Sequence, residues 1–205
     1  MDTARAMQDV NRVHTGEGSL ATPYLGTGVL VGVVDHGYEW SHPAFFSQDG
    51  QRYRVLRVWD QHRTVAATPP ADYDYGHEMI GQTALLAAPI DSVAGFHGTH
   101  VLGIAAGSGL GSGKDRGMAP DADIVLVSSP FTRSSILDGI RYLFAQADAL
   151  DKDMVINLSI GGFLGPRDGT STFDQAVGEL VGPAFWVGAV SGSCFFYCPS
   201  HLFIV

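Results

Sequence analysis

The sequence predicts an α/β fold, a three-layer arrangement with a mainly parallel sheet and helices on both faces. Two observations predict it. Short, continuous runs of β-branched and apolar residues recur along the chain (GVLVGVV, DIVLVS, MVINLSI and AFWVGAV), the pattern of strands buried on both faces. Between them lie segments with helical apolar spacing. Strands and helices therefore alternate, and parallel pairing through right-handed crossovers is expected.

Residues 1–25 read as a polar lead-in without the apolar stretch of a secretory signal. The first strand runs from Gly28 to Val34 and ends at Asp35. Residues 44–92 are mixed, with a strand-like Arg52–Asp60 followed by a Pro- and Asp-rich loop. From His97, HGTHVLGIAAG has small and apolar residues at helical spacing. Asp123–Ser128 is a second buried strand. Ser134–Leu150 is helical, with Ile136, Leu137, Ile140, Leu143, Phe144 and Ala147 on one face. Ser134 or Ser135 is expected to cap it, with Asp138 favouring the positive end of the helix. Met154–Ile160 is a third strand, followed by Gly161 and Gly162. Thr172–Val181 is a second helix, and Ala184–Val190 a fourth strand.

Composition narrows the function classes. Apolar residues make up 45% and charged residues 16% of 205 residues, enough for a sizeable core and unlike a disordered acidic chain. The net charge of −9, from 12 basic and 21 acidic residues, argues against a nucleic-acid binder, which needs a basic face. Cys194 and Cys198 are too few for a disulfide framework. The stretch Leu180–Val205 lacks Asp, Glu, Lys and Arg, but Pro183, Pro199, glycines and serines interrupt it. It is expected to form a buried strand and an irregular tail, not a membrane span.

In parallel sheets, functional groups gather beyond the carboxyl ends of the strands. Asp35 stands there, with Gly37 allowing a sharp exit; a strand-closing turn residue is the alternative reading. His97 opens a helix, where the dipole disfavours its imidazolium and keeps the ring neutral. His97 and His100 at i, i+3 also have a zinc-like spacing, but no third ligand or HExxH pattern accompanies them. The structural alternative places His100 against the sheet and leaves His97 exposed. Ser159, Ile160 and Gly161 end a strand beside two glycines, where a free edge can take up an extended peptide. An ordinary strand end is the simpler reading.

Three blocks, VGVVDHGYEWSHPAF, FHGTHVLGIAAGSG and VINLSIGG, occur in the order and context of the subtilisin-like serine proteases. The chain resembles that family from about Gly26 to Val190. The long segment between Asp35 and His97, and the stretch GPRDGTSTFDQA, resemble a larger bacterial branch of it. The resemblance implies that Asp35 is the triad aspartate, His97 the general base and His100 a structural residue. It implies that Ser159, Ile160 and Gly161 pair with the substrate backbone and form one wall of the P1 pocket. His36 departs from the small or polar residue usual at that position.

A triad also needs a nucleophile. The single Gly-Thr-Ser, Gly169-Thr170-Ser171, lies before the fourth strand, and Ser171 or Thr170 is expected to cap a helix with Asp174 in its first turn. The Ala-Gly-Asn that follows the fourth strand in the family is replaced by SGSCFFYCPSHLFIV, which has no Asn. The chain therefore reads as a peptidase domain over residues 26–190, incomplete at its C-terminus, with an atypical tail at 191–205. It holds two of three triad residues and is expected to be inactive as written. The resemblance implies a polypeptide substrate and an extracellular or cell-envelope location. No cofactor, nucleic acid or membrane partner is expected, and no Asp-rich loop justifies naming calcium ligands. A non-catalytic peptide-binding fragment, or pseudoprotease, is the alternative. A flavodoxin-like ligand module lacks the GxGxxG fingerprint after the first strand.

Overall fold

The computed structural model describes residues 2–65, 67–161 and 168–181, and the backbone of 185–189. Six strands form one sheet. They are β1 (Leu30–Asp35), β2 (Val55–Asp60), β3 (His77–Ile80), β4 (Asp123–Ser128), β5 (Met154–Leu158) and β6 (Phe185–Ala189), in the order β3-β2-β4-β1-β5-β6. All neighbours pair in parallel except β2 and β3. The expected strands are thus present with shifted ends: β1 starts later and includes Asp35, β2 starts at Val55, and β5 stops at Leu158. The antiparallel β3 and the short helix α3 (Gln82–Ala87) that follows it lie in the segment expected to be a loop.

The strands alternate between two cores, as period-2 geometry requires. Leu30 and Val34 of β1, Val125 and Val127 of β4, and Ile156 and Leu158 of β5 pack on one face. There they meet Ile136, Ile140 and Leu143 of α5 (Arg133–Leu150) and Val177 of α6 (Thr172–Leu180). Val31 and Val33, with Ile124 and Leu126, face the other side and meet Leu102 and Ala106 of α4 (His97–Ala106). This is the three-layer arrangement expected. The lead-in forms α1 (Asp2–Met7) and α2 (Val10–Thr15). His14 Nε2 lies 2.8 Å from the carbonyl oxygen of Met118, beside the loop after α4.

The cap of α5 differs from the expectation. Thr132, not Ser134 or Ser135, is the N-cap, and its hydroxyl accepts the Ser135 N–H at 3.1 Å. Ser135 is instead buried and shares a hydrogen bond with Ser129. Asp138 also does more than favour the helix dipole: its carboxylate accepts the Tyr75 hydroxyl at 3.0 Å. That bond and the packing of Tyr73, Tyr75 and Tyr142 around the fully buried Trp59 hold the long segment after β2 against α5. Ser171 caps α6 as expected. Its Oγ accepts the Asp174 N–H at 3.1 Å and donates to the Asp174 carboxylate at 2.6 Å.

One buried cation ties the amino edge of the sheet together. Arg54, with no exposed surface, has no carboxylate in hydrogen-bond contact among the described residues. Its guanidinium donates to the carbonyls of Phe46 (3.2 Å), Ala122 (2.8 Å), Ala44 (2.8 Å) and Ala106 (2.6 Å). Ala106 ends α4, so the charge also sits at the negative end of that helix. Burial lowers its pKa to about 10, with the Arg52 charge adding to the effect and Asp121 and Asp123 opposing it. The group therefore remains a cation at neutral pH, solvated by carbonyls in place of water.

Two substitutions test these local accounts. Arg54→Met takes the donor from the buried Ala106 and Ala122 carbonyls, while the Ala44 carbonyl keeps the Ser108 N–H, and should lower the unfolding free energy in urea by about 2–5 kcal/mol. Ser171→Ala removes a single cap and should cost about 1 kcal/mol in the same measurement.

Candidate active site

The site forms where the end of β1 meets the start of α4. Asp35 has no exposed surface, so its carboxylate must find donors inside the protein. The N–H of the next residue, His36, donates to Oδ1 at 2.7 Å. His97, 62 positions further on, places Nδ1 at 2.9 Å from Oδ1 and 3.0 Å from Oδ2. An ionised carboxylate only accepts, so Nδ1 carries the proton and Nε2 is left with its lone pair. The His97 side chain is 57% exposed, and among the described residues Nε2 makes no hydrogen bond. Burial raises the Asp35 pKa, while the bonds from His97 and from the His36 amide pull it down. The net direction is upward, so holding this group ionised works against its surroundings.

The pairing follows from how α4 begins. Its N-cap residue, Phe96, offers no side-chain cap, and the first N–H groups of a helix need outside acceptors. They find them in the turn after Asp35. Gly98 N–H donates to the carbonyl of His36 at 2.8 Å, and Thr99 N–H to that of Gly37 at 3.2 Å. The Thr99 hydroxyl accepts the Glu39 N–H at 2.7 Å and reaches the Gly37 carbonyl at 3.2 Å. Close approach depends on two glycines. Gly37 has φ +72°, and a Cβ there would lie 3.0 Å from the Gly95 carbonyl oxygen. A Cβ on Gly98 would lie 2.7 Å from the Tyr38 ring and 2.8 Å from the His36 oxygen. The exit turn of the aspartate is thus the cap of the helix that carries the histidine.

His36, the departure noted in the sequence, leaves this arrangement intact. Its backbone serves Asp35 and Gly98, while its ring stacks on Phe131, with centroids 4.3 Å apart. His100 does not pack against the sheet as the structural alternative had it; it is exposed on the first turns of α4. Among the described residues no group of His, Cys, Asp or Glu can hold a metal ion, and no helix is long and apolar enough to cross a membrane. Cys194, Cys198 and the tail at 191–205 lie outside the described residues.

Ser159, Ile160 and Gly161 continue the chain past β5. Val33 of β1 is level with Asn157 of β5, so two residues further on, Asp35 and Ser159 leave the sheet at the same edge. Ser159 and Ile160 are half-buried and Gly161 is exposed. The Ser159 hydroxyl accepts from the Asn157 side-chain amide at 2.9 Å. No hydrogen bond joins these three residues to the Asp35–His97 pair among the described residues.

Two buried carboxylates beside the site were not singled out from the sequence. Asp60 ends β2, level with Ser128 of β4; burial raises its pKa and the neighbouring Asp91 adds to the rise, against the His62 amide bond. Asp91 lies in the loop before α4, and only its short-range turn pattern marked it: Oδ1 accepts the N–H of Val93, two residues on, at 3.3 Å. Its other oxygen accepts the Gly37 N–H at 2.9 Å and the Ser128 hydroxyl at 2.6 Å.

Known proteins share this arrangement of chain. The Minor extracellular protease Vpr of Bacillus subtilis is 32% identical over 165 residues, 77% of this chain and 17% of that protein. The Subtilisin-like protease PopC of Myxococcus xanthus is 28% identical over 162 residues, 73% of this chain and 28% of that protein. Bacillopeptidase F of Bacillus subtilis is 30% identical over 133 residues, 63% of this chain and 8% of that protein. The chain thus spans less than a third of the length of these relatives. Among solved structures, the Clostridium perfringens CspB protease superposes with a TM-score of 0.68 at 21% identity, covering 88% of this chain and 39% of that one. Sphericase superposes at 0.52 and 21% identity, covering 87% and 50%. At such identities the structures speak for the fold alone. The model of the subtilase family matches residues 26–198, and the chain belongs to that family.

Proposed function

We propose that this chain carries the aspartate and histidine of a serine endopeptidase site that acts on polypeptides. The observation that supports it is the Asp35–His97 contact, a fully buried carboxylate holding Nδ1 of a half-exposed imidazole. In the reaction, Nε2 of His97 takes the proton of a serine hydroxyl as its oxygen bonds to the scissile carbonyl carbon. Asp35 stabilises the imidazolium so formed. The imidazolium then returns the proton to the departing amine as the C–N bond breaks, leaving an acyl-serine that water hydrolyses with the same base. Asp35 stays ionised throughout and acts by orientation and charge.

Ser159, Ile160 and Gly161 are assigned to the substrate side. They leave the sheet at the edge where Asp35 stands, and an extended polypeptide laid against them would continue the strand pairing of β5. The nucleophile is not assigned within these 205 residues. Ser171 is committed to Asp174 at the start of α6, and the sequence after β6 lacks the asparagine that would donate to the oxyanion. The chain taken alone is therefore proposed to be inactive, with a rate lower by about 10⁶-fold than a complete triad, the scale seen when a subtilisin triad loses its members.

The direct test treats the purified chain with a serine-reactive fluorophosphonate and an unselective peptide substrate. No labelling and no turnover are expected. Stoichiometric labelling of a serine that disappears in His97→Ala would contradict the assignment.

The raised pKa of Asp35 gives a second test. A carboxyl whose folded pKa exceeds its unfolded one contributes stability below the unfolded value, and loses it as pH rises through the folded value. The ionised carboxylate therefore lowers stability at neutral pH. Asp35→Asn should be more stable than the parent at pH 7, and the difference should close on acidification as Asp35 takes up its proton. Thermal unfolding of both proteins between pH 7 and pH 3 checks the sign.

A further inference from the structure

The Asp91 carboxylate has no part in the chemistry above, yet it is 4% exposed and fully engaged. One oxygen, Oδ2, accepts two donors that belong to different strands' exits. The Gly37 N–H, two residues after Asp35, donates at 2.9 Å, and the Ser128 hydroxyl at 2.6 Å. Ser128 is the cross-strand partner of Asp35 in the β1–β4 register. The backbone is closed on the same spot: Ser129 N–H donates to the Asp35 carbonyl at 2.8 Å, and Asp91 N–H to the Tyr38 carbonyl at 3.2 Å. Oδ1 is taken by the Val93 N–H at 3.3 Å.

We propose that Asp91 is a positioning residue for the Asp35–His97 pair; the inference rests on the functional reading of that pair. Its oxygen staples the exit turn of β1 to the end of β4. The turn so held is the one whose carbonyls cap α4 and set where His97 starts. Gly37 occupies a left-handed conformation and must leave the strand sharply, so an acceptor for its N–H fixes the direction of exit. A charged acceptor does this better than a neutral one, since charge-assisted bonds are shorter and stronger. Through Gly37, Asp91 acts on the orientation of His36 and hence on both donors to Asp35, without touching either reacting side chain.

The test reads the Nδ1 proton of His97 by NMR in the full chain, through its low-field signal and its exchange with solvent. A role confined to overall stability would shift the unfolding midpoint and leave this proton unchanged in the folded protein. Asp35→Asn is the control for the pair itself and should abolish the low-field signal. If the signal survives Asp35→Asn, the functional reading fails. With that control in place, Asp91→Ala should speed exchange of the proton by about tenfold or more, a local opening rather than global unfolding. Asp91→Asn, whose side-chain oxygen in the place of Oδ2 still accepts from both Gly37 and Ser128, should stay within about threefold of the parent. Ser128→Ala cuts one leg of the staple at little change in volume and should fall between them. It keeps the test open if Asp91→Ala does not fold. Exchange at the parental rate in Ser128→Ala, or in folded Asp91→Ala, would overturn the inference while leaving the Asp35–His97 pair standing.

Discussion

A carboxylate without exposed surface has to be surrounded by donors, and the rest of the site is arranged around that demand at Asp35. Its position at the end of β1 follows from a parallel sheet whose strands point their carboxyl ends to one edge. The donors come from the adjacent amide and from a histidine that begins the next helix on that face. The helix, in turn, lacks a side-chain cap and takes its acceptors from the turn that follows the aspartate. Each requirement supplies the other: the helix needs carbonyls, the aspartate needs an N–H, and one turn brings both.

The helix α4 is consequently held at its two ends by opposite means. At its start, backbone carbonyls of residues 36 and 37 take its free N–H groups. At its finish, the buried Arg54 donates to the last carbonyl and bridges to the strand beginnings at the opposite edge of the sheet. The first arrangement aligns reactive groups, and the second anchors the element that bears one of them. Between the two ends, Leu102 and Ala106 pack on the valines, isoleucine and leucine of β1 and β4. Burial of such side chains is worth about 1.5–3 kcal/mol each. Keeping an ionised carboxylate where burial opposes it is a cost that a structure selected for stability alone would avoid.

Much of this was legible in the residues. GVLVGVVD reads as a strand buried on both faces with a functional group at its end, and HGTH as a helix start, because continuous apolar runs and glycine punctuation are local signals. Ser171 reads as a cap for the same reason, its partner being three residues away. What escaped had long-range causes. The strand β3 exists because a short HEMI pairs with β2, and α3 because Leu85 is buried in the core that holds Trp40, whose indole N–H donates to the Leu85 carbonyl at 2.9 Å. Thr132 displaces Ser134 and Ser135 as cap since Ser135 is drawn inward to Ser129. Arg54 and Asp91 carry too little local pattern to give their roles: Arg54 reaches Ala106 and Ala122 as well as the nearby Ala44 and Phe46, and beyond its turn bond to Val93, Asp91 meets Gly37 and Ser128 far along the chain.

The tautomer of His97 tests the account most directly. Nitrogen-15 NMR of the labelled histidine rings, read at a pH where His97 is neutral, reports which nitrogen bears the proton. The proton is expected on Nδ1, toward Asp35, with a change to Nε2 in Asp35→Asn. A proton on Nε2 in the parent chain would contradict this, since the lone pair would then lie on Nδ1 against the Asp35 carboxylate, with none on Nε2 to act as a base.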